Sequence, residues 1–418
     1  MTAPKGLEPI RFEIENGLVA IVKETRKTPI VSINIAVRAG VICDPDDRPG
    51  TVHLLSRVID RGTSTRSAAA IADEFEVRGV SLSVNVTRHL LSFVCTCLAE
   101  DFETILTLVA DIIRQPSFPD QEIGTRKGEV VTAIRQDEDS PLVLAAEGLM
   151  AALYGPQHPY GRRVKGTIES VDRVTRDDLI RLHRERVAPG EATVVVVGDV
   201  QTAHVRDVVA RAFDGWRVPR PAPIAVSSPP PATGRRRIVV PMKGKSQSDI
   251  AYGFVSIARS DPSYYAYWLM NHVLGQYAIG GRLGDSIRER QGMAYYVGSA
   301  LEANVGKGPL FVRAGVNPAN VDRAIKSIDE ELARARSEGL SGKELDDSRR
   351  YLLGSMPRAL ETNNGIANFL QTNEFFGLGL DYDVRLPDLL GGVTLDQANA
   401  AAQFAVDPER ATIVIAGP

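Results

Sequence analysis

The chain has little of what would hold it outside a reducing compartment or across a membrane. Only three cysteines occur in 418 residues, Cys43, Cys95 and Cys97. So small and odd a count supplies no disulfide framework. Cys95 and Cys97 lie two apart on a stretch that reads as a strand, so they share a face and read as small buried apolar residues. No run approaches the roughly 20 apolar residues of a spanning helix. Residues 1–8 lack the apolar stretch of a signal peptide, so a cytoplasmic protein is expected, or a periplasmic one if an export signal has been removed. Charge of one sign is not in excess: 49 basic and 52 acidic residues leave a net charge of −3. That gives no electrostatic case for nucleic acid or a membrane surface. Histidine is scarce too, at 53, 89, 158, 183, 204 and 272, and no two form a short metal spacing.

What is present is a duplicated organisation. A chain this long exceeds what one hydrophobic core usually serves. "RVTRDDLIRLHRERVAPGEATVVVVGDV" (173–200) resembles "GVTLDQANAAAQFAVDPERATIVIAGP" (392–418). Thr175 falls on Thr394, Pro189 on Pro408, Thr193 on Thr412 and Gly198 on Gly417, each with an offset of 219 (412 minus 193). The same offset carries His53 to His272, on a helical pattern at 264–276. Between the halves, "VPRPAPIAVSSPPPATG" (218–234) holds six prolines, at 219, 221, 223, 229, 230 and 231. Such a segment stays extended and reads as a semi-rigid linker. The expected domains are 1–217 and 235–418. In the first, 9–15 and 18–24 pair about Asn16-Gly17, and 30–37 alternates as a strand. A helix over 66–79 ends at Gly79, and helices are expected near 101–114, 119–138 and 141–153. The fold class is α+β, with two similar domains, each a mostly antiparallel sheet with helices packed on one face.

Residues 50–63, "GTVHLLSRVIDRGT", keep the frame of a metal motif without its chemistry. His53 stands where an inverted zinc-peptidase motif, H-x-x-E-H, would begin. Ser56 holds the glutamate position and Arg57 that of the second histidine. On a helix these positions share a face, where two imidazoles and a carboxylate would bind zinc and activate water. A guanidinium has no lone pair to give a metal. A lone His53 reads best as a packing residue. Ser56 lacks the strained elbow and oxyanion hole of a serine hydrolase, and no G-x-S-x-G occurs. The glycine-rich "GGRLG" (280–284) and "GQYAIGG" (275–281) lack the Lys-Ser/Thr end of a phosphate loop.

With "EIENGLVAIVKE" (13–24), "IRQDEDSP" (134–141), "HPYGRRVKGTIESV" (158–171) and "IRERQGMAYYVGS" (287–299), this motif makes nearly the whole chain resemble the pitrilysin/insulinase family of zinc peptidases, in its short two-domain bacterial form. The resemblance implies a third zinc ligand, a Glu just before an Ile-Arg pair. Here Ala133 precedes Ile134-Arg135, 76 residues after Arg57 (133 minus 57). The base and two of three ligands are therefore missing, and no metal is expected in this chain.

The resemblance also implies an Arg and a Tyr seven residues apart that reach a facing domain's zinc site. They are Arg288 and Tyr295 here (295 minus 288), with Tyr296 the rival tyrosine and Arg282 and Arg290 the rival arginines. A guanidinium holds a substrate carbonyl or oxyanion, and a phenol donates a second bond. Without the resemblance, a surface arginine and a half-buried aromatic would be the better description. The implied function is the non-catalytic subunit of a heterodimeric zinc metallopeptidase, forming half of a chamber for short peptides. Its partner would be a catalytic H-x-x-E-H chain of similar length that holds the zinc; whether the chain alone forms a homodimer is left open. The alternative is a structural scaffold subunit with no role in cleavage. An independent peptidase with other ligands is the weakest reading.

Overall fold

The computed structural model describes residues 6–232, 234–276 and 280–418. The middle of the glycine-rich stretch 275–281 thus lies outside the described residues. In chain order the first half contains β1 (Ile10–Glu13), β2 (Val19–Glu24), β3 (Ile30–Val37), α1 (Thr51–Val58), α2 (Ala68–Glu76), β4 (Ser83–Val86), β5 (Leu91–Leu98), α3 (Phe102–Arg114), α4 (Asp120–Glu138), α5 (Pro141–Tyr154), α6 (Ile168–Arg173), α7 (Arg176–Arg186), β6 (Ala192–Gly198) and α8 (Thr202–Ala212). The second contains β7 (Arg236–Pro241), β8 (Ser248–Val255), α9 (Tyr264–Asn271), β9 (Ala294–Leu301), β10 (Pro309–Val316), α10 (Val321–Ser337), α11 (Gly342–Ala359), α12 (Asn363–Phe376), α13 (Tyr382–Gly391), α14 (Leu395–Ala405) and β11 (Thr412–Gly417). No described helix is long and apolar enough to cross a membrane.

The strands form a six-stranded sheet, β1-β2-β6-β3-β5-β4, and a five-stranded sheet, β7-β11-β8-β10-β9. Each has one parallel pair, β2 with β6 and β7 with β11, and is otherwise antiparallel. Leaving β1 aside, the two orders match strand for strand. The repeat seen in the sequence is the pair α7–β6 and α14–β11. Thr175 and Thr394 both cap their helices through reciprocal boxes, as S/T-x-x-acceptor sequences do. The His53–His272 coincidence does not mark equivalent positions. His53 sits early in α1, whereas His272 lies beyond the end of α9, in a π-helical turn (His272–Gln276).

The compact units are not the two linear halves. Unit 1 comprises 1–134, 163–224 and 356–384; unit 2 comprises 135–162, 225–355 and 385–418. The expected division at 218–234 gave each half all of its own helices. Instead α5 packs on β8 and β11 in unit 2, and α12 packs on β3 and β6 in unit 1. The physical reason lies in the second face of each sheet. On β3, Val31, Ile33, Ile35 and Val37 enter the main core with α1, α3 and α8, while the intervening residues need a second cover. There Ile21, Val195 and Val197 close on Ile366, Ala367 and Leu370 of α12. Gly148 of α5 rests against Val414, where an added Cβ would come within 3.0 Å. Most helices still lie on one face, as expected; the other carries the exchanged helix. The proline-rich segment changes allegiance in passing, with Val218 and Ile224 against the unit 1 core and Val226 beside Gly306 in unit 2. Among its described residues it forms no helix or strand.

Candidate functional site

In unit 1 the relic of the metal motif is held in place from its first residue. Gly50 adopts φ +92°, and a Cβ there would meet the Lys165 carbonyl oxygen at 2.4 Å. Only glycine suits that turn. The buried Asp44 carboxylate accepts from the N–H groups of Gly50 and Val52, both at 2.7 Å, which satisfies donors left free at the helix start and places there the negative charge it favours. Val52, Leu54, Leu55 and Val58 then bury one face of α1.

On this frame His53 is half-buried and Ser56 buried. The Ser56 hydroxyl donates to the His53 carbonyl at 2.7 Å, so its proton serves its own helix. The exposed Arg57 approaches Glu129 of α4, with Nη2 3.9 Å from Oε2. Glu129 also pairs with Arg126, and that guanidinium chiefly holds its carboxyl below the usual range. Ala133 lies one turn further along α4, half-buried and without a donor atom. Asp60, just past α1, is buried enough to have its carboxyl pushed up despite Arg61, 3.2 Å away. Helices α1 and α4 thus approach each other through one long ion pair, Arg57–Glu129. One imidazole, an occupied hydroxyl, a guanidinium and a methyl group do not fit a catalytic zinc ion. Among the described residues no group of three or more His, Cys, Asp or Glu is placed to hold a metal. Glu129 and Arg126 were not singled out from the sequence; their one-turn spacing on a polar helix was the available signal.

In unit 2 the Arg/Tyr segment is a π-helical stretch, Gly284–Arg290, followed by a turn at Gly292 (φ +60°) and the edge strand β9. Leu283 and Ile287, both fully buried, anchor it. Arg288 projects outward, and its nearest acid is its neighbour Glu289 at 3.7 Å, a weak exposed contact. Tyr295 is 69% exposed, and no hydrogen bond joins it to Arg288 among the described residues. The rivals are committed elsewhere. Tyr296 points to the other face of β9 and donates to the buried Asp249 carboxylate; burial and that bond push its phenol pKa up. Gly315 makes room for the ring, since a Cβ there would lie 2.5 Å from it. Arg282 grips Glu344 with bonds of 2.7 and 2.8 Å, and Arg290 pairs with Asp285 at 3.0 Å. Asp249 was invisible to sequence reasoning, because its contact with Tyr296 comes only from strand register. The three thiols are free and buried, each with its pKa pushed up to about 12 by burial, so none is a ready nucleophile.

Residues 19–167 match the profile of Insulinase (Peptidase family M16), and residues 173–352 that of the Peptidase M16 inactive domain. A Bacillus subtilis relative, the uncharacterized zinc protease YmxG, is 24% identical over 94% of both chains. The non-peptidase homolog YmxG of Helicobacter pylori is 24% identical over 93% of this chain and 89% of its own. Among solved structures, a peptidase M16 inactive domain from Pseudomonas fluorescens superimposes with a TM-score of 0.91 at 25% identity, covering 99% of this chain and 98% of that one. A Helicobacter pylori protease with a TM-score of 0.89 and 17% identity covers 99% and 100% and shares the fold.

Proposed function

Because the chain belongs to the peptidase M16 (insulinase) family, we propose that it is a non-catalytic member that works as one subunit of a heterodimeric zinc peptidase. A partner chain with an intact H-x-x-E-H motif supplies the zinc, the base and all three ligands. This chain supplies half of the peptide chamber, with Arg288 and Tyr295 acting in trans on a bound peptide. The observation that carries the reading is the contrast between the two segments. Where the motif would act, Arg57 and Arg126 both turn to Glu129 of the facing helix; on the Arg/Tyr segment Tyr295 stands 69% exposed and Arg288 meets only its sequence neighbour Glu289. The inactive-domain match and the non-peptidase relative support the loss of catalysis.

The test is reconstitution with a catalytic M16 chain of the same organism. The purified chain alone is expected to carry no stoichiometric zinc and to cleave no quenched fluorescent peptide, while the pair cleaves it. One zinc per isolated chain, removable with loss of cleavage, overturns the reading. Assembly with no gain of cleavage over the catalytic chain alone makes it a scaffold.

A further inference from the structure

Unit 2 holds a cavity of about 370 Å³ that the peptidase reading does not use. It lies at one end of the sheet, where β7 and β11 begin, β8 ends and the turn before β10 passes. That volume suits a small organic ligand. Its floor is apolar, with Leu153 and Phe254 nearly buried, and Pro229–Pro231 of the linking segment form another wall.

The charge around it is one-sided. Arg236, Lys307 and Arg410 line it, and none has an ion-pair partner among the described residues. The one acid, Asp407, is already paired with Arg336 at 2.8 Å. Two donors on the wall are unused. Arg236 spends Nη2 on the Thr412 hydroxyl at 2.9 Å, but its Nε–H has no partner. The Ser256 hydroxyl, beside a backbone bond to Gly308, has none either. Buried donors without partners cost free energy and mark a place where an acceptor is missing. Both atoms are shielded from solvent, so a ligand oxygen would need a side-chain rotation at the wall to meet them.

We infer that this cavity binds a small ligand with an apolar body and a carboxylate, the carboxylate against Arg236 and Ser256 and the body over Leu153 and Phe254. Guanidinium and hydroxyl donors match a carboxylate, and the apolar floor disfavours a compact hydrated anion. Two sources share this chemistry, a peptide C-terminus and a free aliphatic acid. The inference concerns the isolated chain and does not depend on the partner.

Calorimetric titration of the chain alone tests it, with N-acetylphenylalanine, its amide, hexanoate and inorganic phosphate as probes. The acid is expected to bind saturably and the amide at least about tenfold more weakly, with affinity falling as salt rises. Arg236→Gln should weaken the acid about tenfold and Ser256→Ala a few fold, with both variants still folded by circular dichroism. If Arg236→Gln does not fold, Lys307→Gln, on an exposed side chain, carries the charge test with a smaller loss. Hexanoate binding as well as N-acetylphenylalanine points to free acids; N-acetylphenylalanine alone points to peptide ends. Equal binding of acid and amide, phosphate binding as tightly as the acid, or folded variants that bind like the parent overturn the inference.

Discussion

Unit 1 and unit 2 are built on one strand order, yet their candidate sites have opposite chemistry. In unit 1, the motif helix and α4 come together and every charge near the motif has an internal answer: Arg57 and Arg126 on Glu129, Asp60 beside Arg61. In unit 2, Tyr296, Arg282 and Arg290 are likewise answered from within, but Tyr295 is 69% exposed and Arg288 meets only its exposed sequence neighbour Glu289, at 3.7 Å. A group that acts on another molecule has to be left unsatisfied by its own chain. Tyr295 meets that condition, and Arg288 is held only by the residue next to it, whereas Arg57 of the motif helix is turned to a different helix.

The largest effect expected from this contrast is on turnover. In the reconstituted pair, Tyr295→Phe should lower the rate of peptide cleavage by about 100-fold or more, as loss of a positioned oxyanion donor does. Arg288→Ala should cost at least as much and raise KM as well. Both variants should still assemble on gel filtration. Tyr296→Phe is the internal control: turnover stays parental, and stability falls by about 1–3 kcal/mol because the Asp249 carboxylate loses its phenol donor and keeps only the Gln247 amide. Parental turnover in both Tyr295→Phe and Arg288→Ala breaks the comparison.

The motif can be challenged next. Ser56→Glu, Arg57→His and Ala133→Glu together should restore zinc uptake to near one per chain by elemental analysis, while Arg57→His alone should restore none. Turnover need not return with the metal, since it also depends on the groups that orient the ligands. A triple variant that folds and stays metal-free would show that α1 and α4 no longer meet as a metal site requires.

The exchanged helices give a third test, on stability. Leu149 of α5 is 2% exposed and touches Gly253 of β8. Leu149→Ala should cost about 2–5 kcal/mol and speed amide exchange in β8 and β11, although residue 149 precedes their starts by 99 (248 minus 149) and 263 (412 minus 149) residues. Leu370→Ala in α12 should do the same to β3 and β6. Effects confined to the linear half that carries each mutation would contradict the exchange.

The smallest expected effect is on pH dependence. Burial lowers His89 in unit 1 and His272 in unit 2 from 6.5 to about 4. Between those values the unfolded chain binds protons that the folded chain refuses, so stability falls as pH drops from about 6.5 to about 4. His89→Gln should remove part of that slope and His272→Gln a further part, read from denaturant midpoints across the range. Below it, Glu344, held down at about 2 by Arg282 from a usual 4.5, adds a separate loss as pH falls through that window.

Much of this was written in the chain. The β-branched alternation at 30–37, the caps at Thr175 and Thr394, the proline run and the changed residues 56, 57 and 133 are local signals. Local geometry reads them directly: period, cap and side-chain chemistry need no distant partner. The Ser32 and Asn34 positions show where that reading stops. By alternation they belong on a solvent face, yet both are buried, and Asn34 donates to Asn368 of α12 at 2.7 Å. Nothing near residue 34 announces a helix 334 residues away (368 minus 34) as its cover. Likewise the sequence supplied a tyrosine pair at 295–296, and only strand register turned Tyr296 toward Asp249 and left Tyr295 in water. Sequence determined which side chains stand at the motif positions and which elements form, because those depend on neighbours along the chain. Tertiary structure decided which helix covers which sheet and which side chains remain free, because those depend on burial between residues that only folding brings together.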